Sequence, residues 1–312
     1  MGLFIRKLLL FLGIALVLYL TLFGALFFVR TFNIPVIFRT TQGNIFRGGY
    51  TYVTFRQFNP KEKYDIILLG SSHAYRGYDP AIFREHGYKM FNLGTNSQTN
   101  LVAYFIAKNY IKKENCNTVI IDIYDRVFMT STLESISDIV QNINSNKTAL
   151  EICLALKDIR TINMLTMRVF NNFHGVFNAD TAGVDHGFIP YNTQLRLNGK
   201  QKDLDFETSE GTVEYFAKLI EYLHSEGINI IVAEHPVPLI YTIPKEQHAE
   251  MLNKINPILK KYDVPFYDHL YDSTMVDIQY YANENHLSIS GIKKYNDILL
   301  NELLKDGRLP DK

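Results

Sequence analysis

The sequence predicts a three-layer α/β fold built on a five-stranded, mostly parallel sheet and preceded by one N-terminal transmembrane helix. Three observations predict it: an uncharged apolar run at the N-terminus, five later apolar runs of strand length, and amphipathic stretches of helical period between those runs.

The N-terminal element comes first. From Leu8 to Val29 there are 22 residues without a charge, bracketed by Arg6-Lys7 and by Arg30. As a helix this run is about 33 Å long, enough to cross a hydrocarbon core of about 30 Å. A cleavable signal peptide competes, but its apolar stretch normally covers about 7 to 15 residues and ends in a small-x-small site. The one candidate site, near Gly24-Ala25, runs on into Leu26-Phe27-Phe28. The run therefore reads as an uncleaved anchor. Arg6, Lys7 and the terminal amine favour an N-terminus inside the cell, while Arg39 and Arg47 weigh on the other side. The expectation is a single-pass protein of the cell membrane with its body outside the cytoplasm.

Charge divides at the same place. The chain of 312 residues has 32 basic and 32 acidic side chains, yet no acidic residue precedes Glu62, while the first 60 positions hold six basic ones: Arg6, Lys7, Arg30, Arg39, Arg47 and Arg56. Positions 61–312 are left with 26 basic against 32 acidic residues, net −6. A nucleic-acid partner is disfavoured, because such a body repels phosphate. Aromatic residues at 13% and two cysteines exclude a disordered chain and a disulfide scaffold. For Cys116 and Cys153, two unpaired buried thiols are favoured over a disulfide.

Residues 1–29 thus form a cytoplasmic stub and anchor. Residues 30–60 mix Gly, Thr, Asn and aromatics without a helical period and read as a connecting segment that can pair as a short hairpin. The body spans 61–312. Its strands are expected at 65–69, 89–93, 118–123, 229–233 and 264–267, each too short for a buried helix and bounded by polar residues or glycine. Asp79-Pro80 caps a short helix that stops before Gly87. Residues 209–226 place Val213, Phe216, Ala217, Ile220 and Leu223 on one face, and Gly227 ends the run. Further helices fit 100–112, 245–261 and 290–305. Between the third and fourth strands, 128–206 form a helical insertion, helical near 133–169 and then rich in Gly, Asn and Asp to about Asp205. A connection this long usually carries function, here substrate contacts or a partner surface.

Ligands of open α/β sheets sit beyond the carboxyl ends of the strands, so the strand ends are where chemistry is sought. The first strand runs into Gly70-Ser71-Ser72-His73, a tight turn that can lift a hydroxyl above the sheet edge. The second ends in Asn92-Leu93-Gly94-Thr95-Asn96. There Gly94 can bring a backbone N–H close to a ligand, and Asn96 can add a side-chain N–H. Before the last helix stands Asn283-Glu284-Asn285-His286-Leu287-Ser288, whose histidine can lean over the sheet edge. Taken singly, each has a plain structural reading as a turn residue. Glu234-His235-Pro236 is expected as an ordinary strand-end turn, and His73 either touches substrate or packs the turn.

In this order, Gly-x-Ser, Asn-Leu-Gly and His-Leu-x-x-x-Gly resemble the blocks of the SGNH/GDSL hydrolase superfamily over roughly Lys61 to Leu304. The resemblance implies a flavodoxin-like three-layer fold and a serine esterase or acyltransferase with Ser72 as nucleophile, His286 as base and Gly94 in the oxyanion site, with Asn96 as the replacement donor. The membrane anchor resembles that of envelope-facing relatives that work beside membrane-bound O-acyltransferases. That implies an acylated envelope glycan, polymer or lipid as substrate and such an acyltransferase as a possible partner. No metal or organic cofactor is needed for this chemistry. Two blocks depart from the pattern. The position of the acid, three residues before His286, is held by Asn283, which is taken with Ser72 and His286 as the third catalytic position, with Glu284, Asp277, Asp272 or a serine–histidine dyad as substitutes for the missing charge. The block after the third strand reads Ile121-Asp122-Ile123-Tyr124 rather than Gly-x-Asn-Asp. An inactive module of the same fold that binds a polymer or membrane partner is therefore the alternative. Nucleotide binding is disfavoured, since neither glycine-rich phosphate motif follows a strand.

Overall fold

The computed structural model describes residues 2–310 and 312, apart from 33, 40–46, 129–132, 177–182, 192–209 and 239–242. The last part of the insertion, 192–206, lies outside the described residues.

Helix α1 (Gly2–Phe28) is the apolar run, exposed along most of its length and long and apolar enough to cross a membrane. It leads into a two-stranded antiparallel hairpin, β1 (Arg30–Thr31) and β2 (Ile34–Pro35). The connecting segment then departs from expectation by forming a helix, α2 (Gly49–Gln57). Its period is hidden because polar residues do part of the packing: Thr51 Oγ1 donates to Asp138 Oδ2 at 2.6 Å, while Phe55 is buried and stacks on Tyr110.

The main sheet follows the expected runs: β3 (Tyr64–Leu69), β4 (Met90–Asn92), β5 (Cys116–Asp122), β6 (Asn229–Glu234) and β7 (Phe266–Asp268). All pairings are parallel and the order is β4-β3-β5-β6-β7. Numbered within the sheet this is 2-1-3-4-5, the flavodoxin-like order, whose direction of winding reverses at the first strand. Side chains alternate between the two faces, as strand geometry requires. Ile67, Leu69, Val119, Ile121 and Val232 enter one core with α5 (Asn100–Tyr110), α9 (Glu210–Ser225) and α10 (Lys245–Lys261). Ile66, Leu68, Ile120, Ile231 and Ala233 enter the other with α3 (Ser72–Gly77), α4 (Pro80–Glu85) and α11 (Ile289–Lys305). The insertion contributes α6 (Leu133–Asn142), α7 (Asn146–Leu156) and α8 (Thr161–His174). Helices α6 and α7 extend the first core through Ile136, Ile139 and Ile152. Cys116 and Cys153 are separate buried thiols.

The turn from β3 into α3 is closely packed. Gly70 has φ +149°, and a Cβ there would lie 2.8 Å from Asp122 O and 2.9 Å from the Cβ atoms of both Ala74 and Asp122. Both the backbone region and the space demand glycine. Gly70→Ala should lower stability by about 1–3 kcal/mol, read as a fall in the thermal unfolding midpoint of the full chain. An unchanged midpoint would show that the turn relaxes freely.

Candidate active site

Ser72 is the first residue of α3, lifted off the end of β3 by Gly70 and Ser71. The Ser71 hydroxyl caps the helix by accepting the His73 N–H at 3.3 Å. At the first position of the helix, the Ser72 N–H has no intrahelical acceptor, as for any helix start. The carboxyl end of β3, at the sheet's reversal point, is where this topology puts ligand sites.

His286 reaches the same place from the other end of the chain. Tyr281 and Leu287 form an antiparallel bridge, Ala282 N–H donates to His286 O at 2.8 Å, and Ser288 then caps α11 through Gly291 N–H. Inside this narrow loop Asn283 Oδ1 accepts the backbone N–H groups of Asn285 and His286, both at 3.0 Å. Two backbone donors fix that atom as the oxygen of the amide, since the NH₂ could not accept them. The same oxygen lies 3.0 Å from His286 Nδ1, so Nδ1 carries the hydrogen and Nε2 carries the lone pair. Nε2 lies 2.9 Å from Ser72 Oγ, which donates to it. Ser72, His286 and Asn283 thus form a serine–histidine–asparagine relay with the tautomer a general base requires.

The alternative acids do other work. Asp272 Oδ1 accepts Thr274 N–H at 2.7 Å and Asp277 Oδ1 accepts Gln279 N–H at 3.0 Å, each capping a single turn. Glu284 is exposed. Asn283 itself occupies the place of the acid.

The expected oxyanion residues sit at the end of β4. Gly94 is buried where a Cβ would lie 2.9 Å from Ala74 Cβ and 3.0 Å from Tyr75 N, which lets α3 approach the strand. Its N–H, expected to face a ligand, donates to Asn92 Oδ1 at 3.0 Å. Asn92 is fully buried and its amide also donates to Ala74 O at 2.9 Å and Tyr78 O at 3.3 Å, clamping α3 to β4. Asn96 is half-buried in the turn beyond.

The sequence takes His235 for part of an ordinary strand-end turn, leaves His73 between touching substrate and packing the turn, and does not single out Tyr191 or Arg76. His73, buried directly after Ser72, stacks on His235 at 4.2 Å, lies 4.1 Å from the Tyr124 ring and meets His286 edge-on at 5.5 Å. His235 Nδ1 pairs with Pro236 O at 2.8 Å. Tyr191, from the insertion, lies nearly parallel to the His286 ring at 5.4 Å, and the Arg76 guanidinium sits 4.7 Å above Tyr191. Positions 73, 191, 235 and 286 share no spacing, so only the fold brings them together.

Burial holds these imidazoles neutral. His286 is pulled down to about 3, first by desolvation, then by the repulsion it would meet from a charged His235, and by the Arg76 guanidinium. Burial likewise brings His235 to about 4 and His73 well below the ordinary range. Away from Ser72, Asp125, Glu234 and His248 bring three metal-ligating atoms within 4.8 Å of one another.

No family model matches the chain, and no curated protein matches it. Among solved structures it is similar to a lipase/acylhydrolase from Enterococcus faecalis, with 12% identity over 80% of this chain and 98% of that one and a TM-score of 0.43. It is also similar to a GDSL-like lipase from Bacteroides thetaiotaomicron, with 10% identity over 79% and 89% and a TM-score of 0.39. An acetyl xylan esterase gives 9% identity over 77% and 99% and a TM-score of 0.41. The functional reading rests on the geometry of the site itself.

A neutral His286 is a base over a wide range and is lost only when pH falls through its depressed pKa. Hydrolysis of a simple aryl ester should show an acid limb in kcat/KM well below pH 6.5. Asn283→Asp keeps an oxygen for the two backbone N–H groups and adds a charge that favours the imidazolium, so it should move that limb upward by about 1–3 units. A wild-type limb near the ordinary histidine value that Asn283→Asp leaves in place would contradict this electrostatic account.

Proposed function

We propose that the chain is a serine-dependent acyl-ester hydrolase or acyltransferase acting on a cell-envelope glycan, polymer or lipid. One observation carries the reading: the 2.9 Å contact from Ser72 Oγ to a His286 whose tautomer Asn283 fixes. In the first step Ser72 Oγ bonds to the acyl carbon while its proton passes to His286 Nε2. As the tetrahedral intermediate collapses, the C–O bond to the leaving alcohol breaks and that alcohol takes the proton. Water or an acceptor hydroxyl then bonds to the acyl carbon as its proton passes to His286 Nε2; the bond from the acyl carbon to Ser72 Oγ breaks, and Oγ takes that proton back, restoring the free serine and neutral histidine. The two outcomes differ only in the final acceptor, and a membrane-bound O-acyltransferase fits this scheme as the source or recipient of the acyl group.

The oxyanion is assigned to the Ser72 N–H and the Asn96 side chain, with the Gly94 N–H joining when it exchanges its Asn92 partner. That engaged N–H is the observation favouring the alternative, a catalytically inactive module of the same fold that binds a polymer or membrane partner. The full chain treated with a fluorophosphonate probe should label at one serine, and Ser72→Ala should abolish at least about 99% of that labelling, as loss of the nucleophile requires. Equal labelling of wild type and Ser72→Ala, or none of either, would favour the inactive module.

We further propose that α1 anchors the body in the cell membrane with the catalytic domain outside. Its last turns pack on the insertion: Tyr19 Oη donates to Asn163 Oδ1 at 2.8 Å, and Phe23 and Phe27 are buried against Met167 and Phe170. The site and the bilayer would thereby be tied together through α8, bringing a lipid or envelope polymer within reach. A fluorophore at Leu12→Cys in vesicle-reconstituted protein should be quenched by spin-labelled lipid and not by aqueous iodide. Iodide quenching alone would remove the anchor reading.

A further inference from the structure

A second polar cluster lies at the same sheet edge, under the ends of β5, β6 and β7. Asp125 begins a 3-10 turn just after β5, Glu234 is the last residue of β6, Asp268 is the last residue of β7, and His248 lies near the start of α10. Asp125, Glu234 and His248 are 2%, 0% and 4% exposed, so water does not reach them freely. Apart from the neighbouring carboxyl of Asp125, no donor reaches either carboxyl oxygen of Glu234, a rare condition for a buried acid. The cluster sets three carboxyl groups against one imidazole.

The histidine shows how the group is organised. His248 Nε2 lies 3.0 Å from Asp268 Oδ2, while Nδ1 stands 3.2 Å from both oxygens of Asp125. A charged N–H on a carboxylate normally closes to about 2.7–2.9 Å; the even 3.2 Å spacing is looser than that. A carboxylate holding the far nitrogen of a ligating histidine is the usual second-layer arrangement of metal sites. The ligand atoms of Asp125, Glu234 and His248 all lie within 4.8 Å of one another. Around a common ion at about 2.0–2.2 Å they could be at most about 4.4 Å apart, so less than about half an ångström of closure is needed.

We propose that Asp125, Glu234 and His248 bind one divalent first-row transition ion, with Asp268 fixing the His248 ring from behind. Two carboxylates and one imidazole suit Zn²⁺ or Mn²⁺. The ion would join the ends of β5 and β6 to α10. Glu234 is followed by His235, whose ring stacks on His73 beside Ser72, so the clamp would stiffen the wall of the site without touching the reacting atoms. This site is independent of the Ser72 chemistry.

Protons are the competing occupants. Although burial pulls His248 down, the hydrogen bonds its ring N–H groups donate to Asp125 and Asp268 raise it to about 9, and burial drives Glu234 well up. The full chain, stripped by chelator and titrated separately with Zn²⁺ and Mn²⁺ in a calorimeter, distinguishes the two. One ion of at least one kind should bind per chain and raise Tm. Glu234→Gln should weaken that binding more than about 100-fold and Asp268→Asn about 10–100-fold. No saturable one-per-chain binding by either ion, or affinity unchanged in folded Glu234→Gln, overturns the proposal. If Glu234→Gln does not fold, Asp268→Asn decides it by the same criterion.

Discussion

The carboxyl edge of the sheet depends on how closely the first turn of α3 is pressed against β4 and β5. Gly70 and Gly94 stand where a Cβ would be 2.8–3.0 Å from backbone or Cβ atoms across that contact. Asn92 closes it from within, donating to Ala74 O and Tyr78 O. Interiors are packed to crystal-like density, so an approach this tight leaves Ser72 one position. Ser72 is therefore placed by strand-to-helix packing. His286, arriving 214 residues later in sequence, finds it at 2.9 Å.

Electrostatics at this edge are governed by dryness. His73, His235 and His286 lie in ring contact, and each is pushed toward neutrality first by burial. On the neighbouring strand ends, Asp122 is driven upward by the same desolvation and receives the Tyr78 hydroxyl at 2.7 Å. A site that penalises every charge keeps its base ready but leaves the imidazolium of the transition state poorly supported. Arg76 sharpens the effect, since its positive field opposes protonation of His286. Tyr191 covers the imidazole from the insertion and keeps that surface dry.

The sheet was legible because five short apolar runs, each closed by glycine or polar residues, leave few alternatives; the second strand, expected at 89–93, is paired over 90–92. Ser72 and His286 were legible because short motifs mark both turns. Helix α2 was not, because Thr51 and Thr54 are buried polar residues and break the apolar period that exposes a helix in sequence. The histidine stack and the Asp125–Glu234–His248 group were not, because neither has a spacing: their members meet only when separate strand ends and helix starts are brought to one edge. Gly94 shows a subtler limit. A glycine at a strand end is equally required for a ligand-facing N–H and for close helix packing, and nothing in the sequence reveals that Asn92, two residues earlier, takes the N–H.

Asn283 stands at the expected relay position but performs only part of an acid's work. An aspartate in a serine relay has two tasks, orienting the imidazole and stabilising its charged form. In serine proteases, replacing it by asparagine lowers the rate by about 10⁴, because the amide selects the wrong tautomer. Here the loop separates the tasks. Backbone N–H groups of Asn285 and His286 hold the amide oxygen toward Nδ1, so orientation survives intact while the charge is absent. The loss expected from asparagine is thus confined to imidazolium stabilisation, in a pocket that already disfavours the imidazolium.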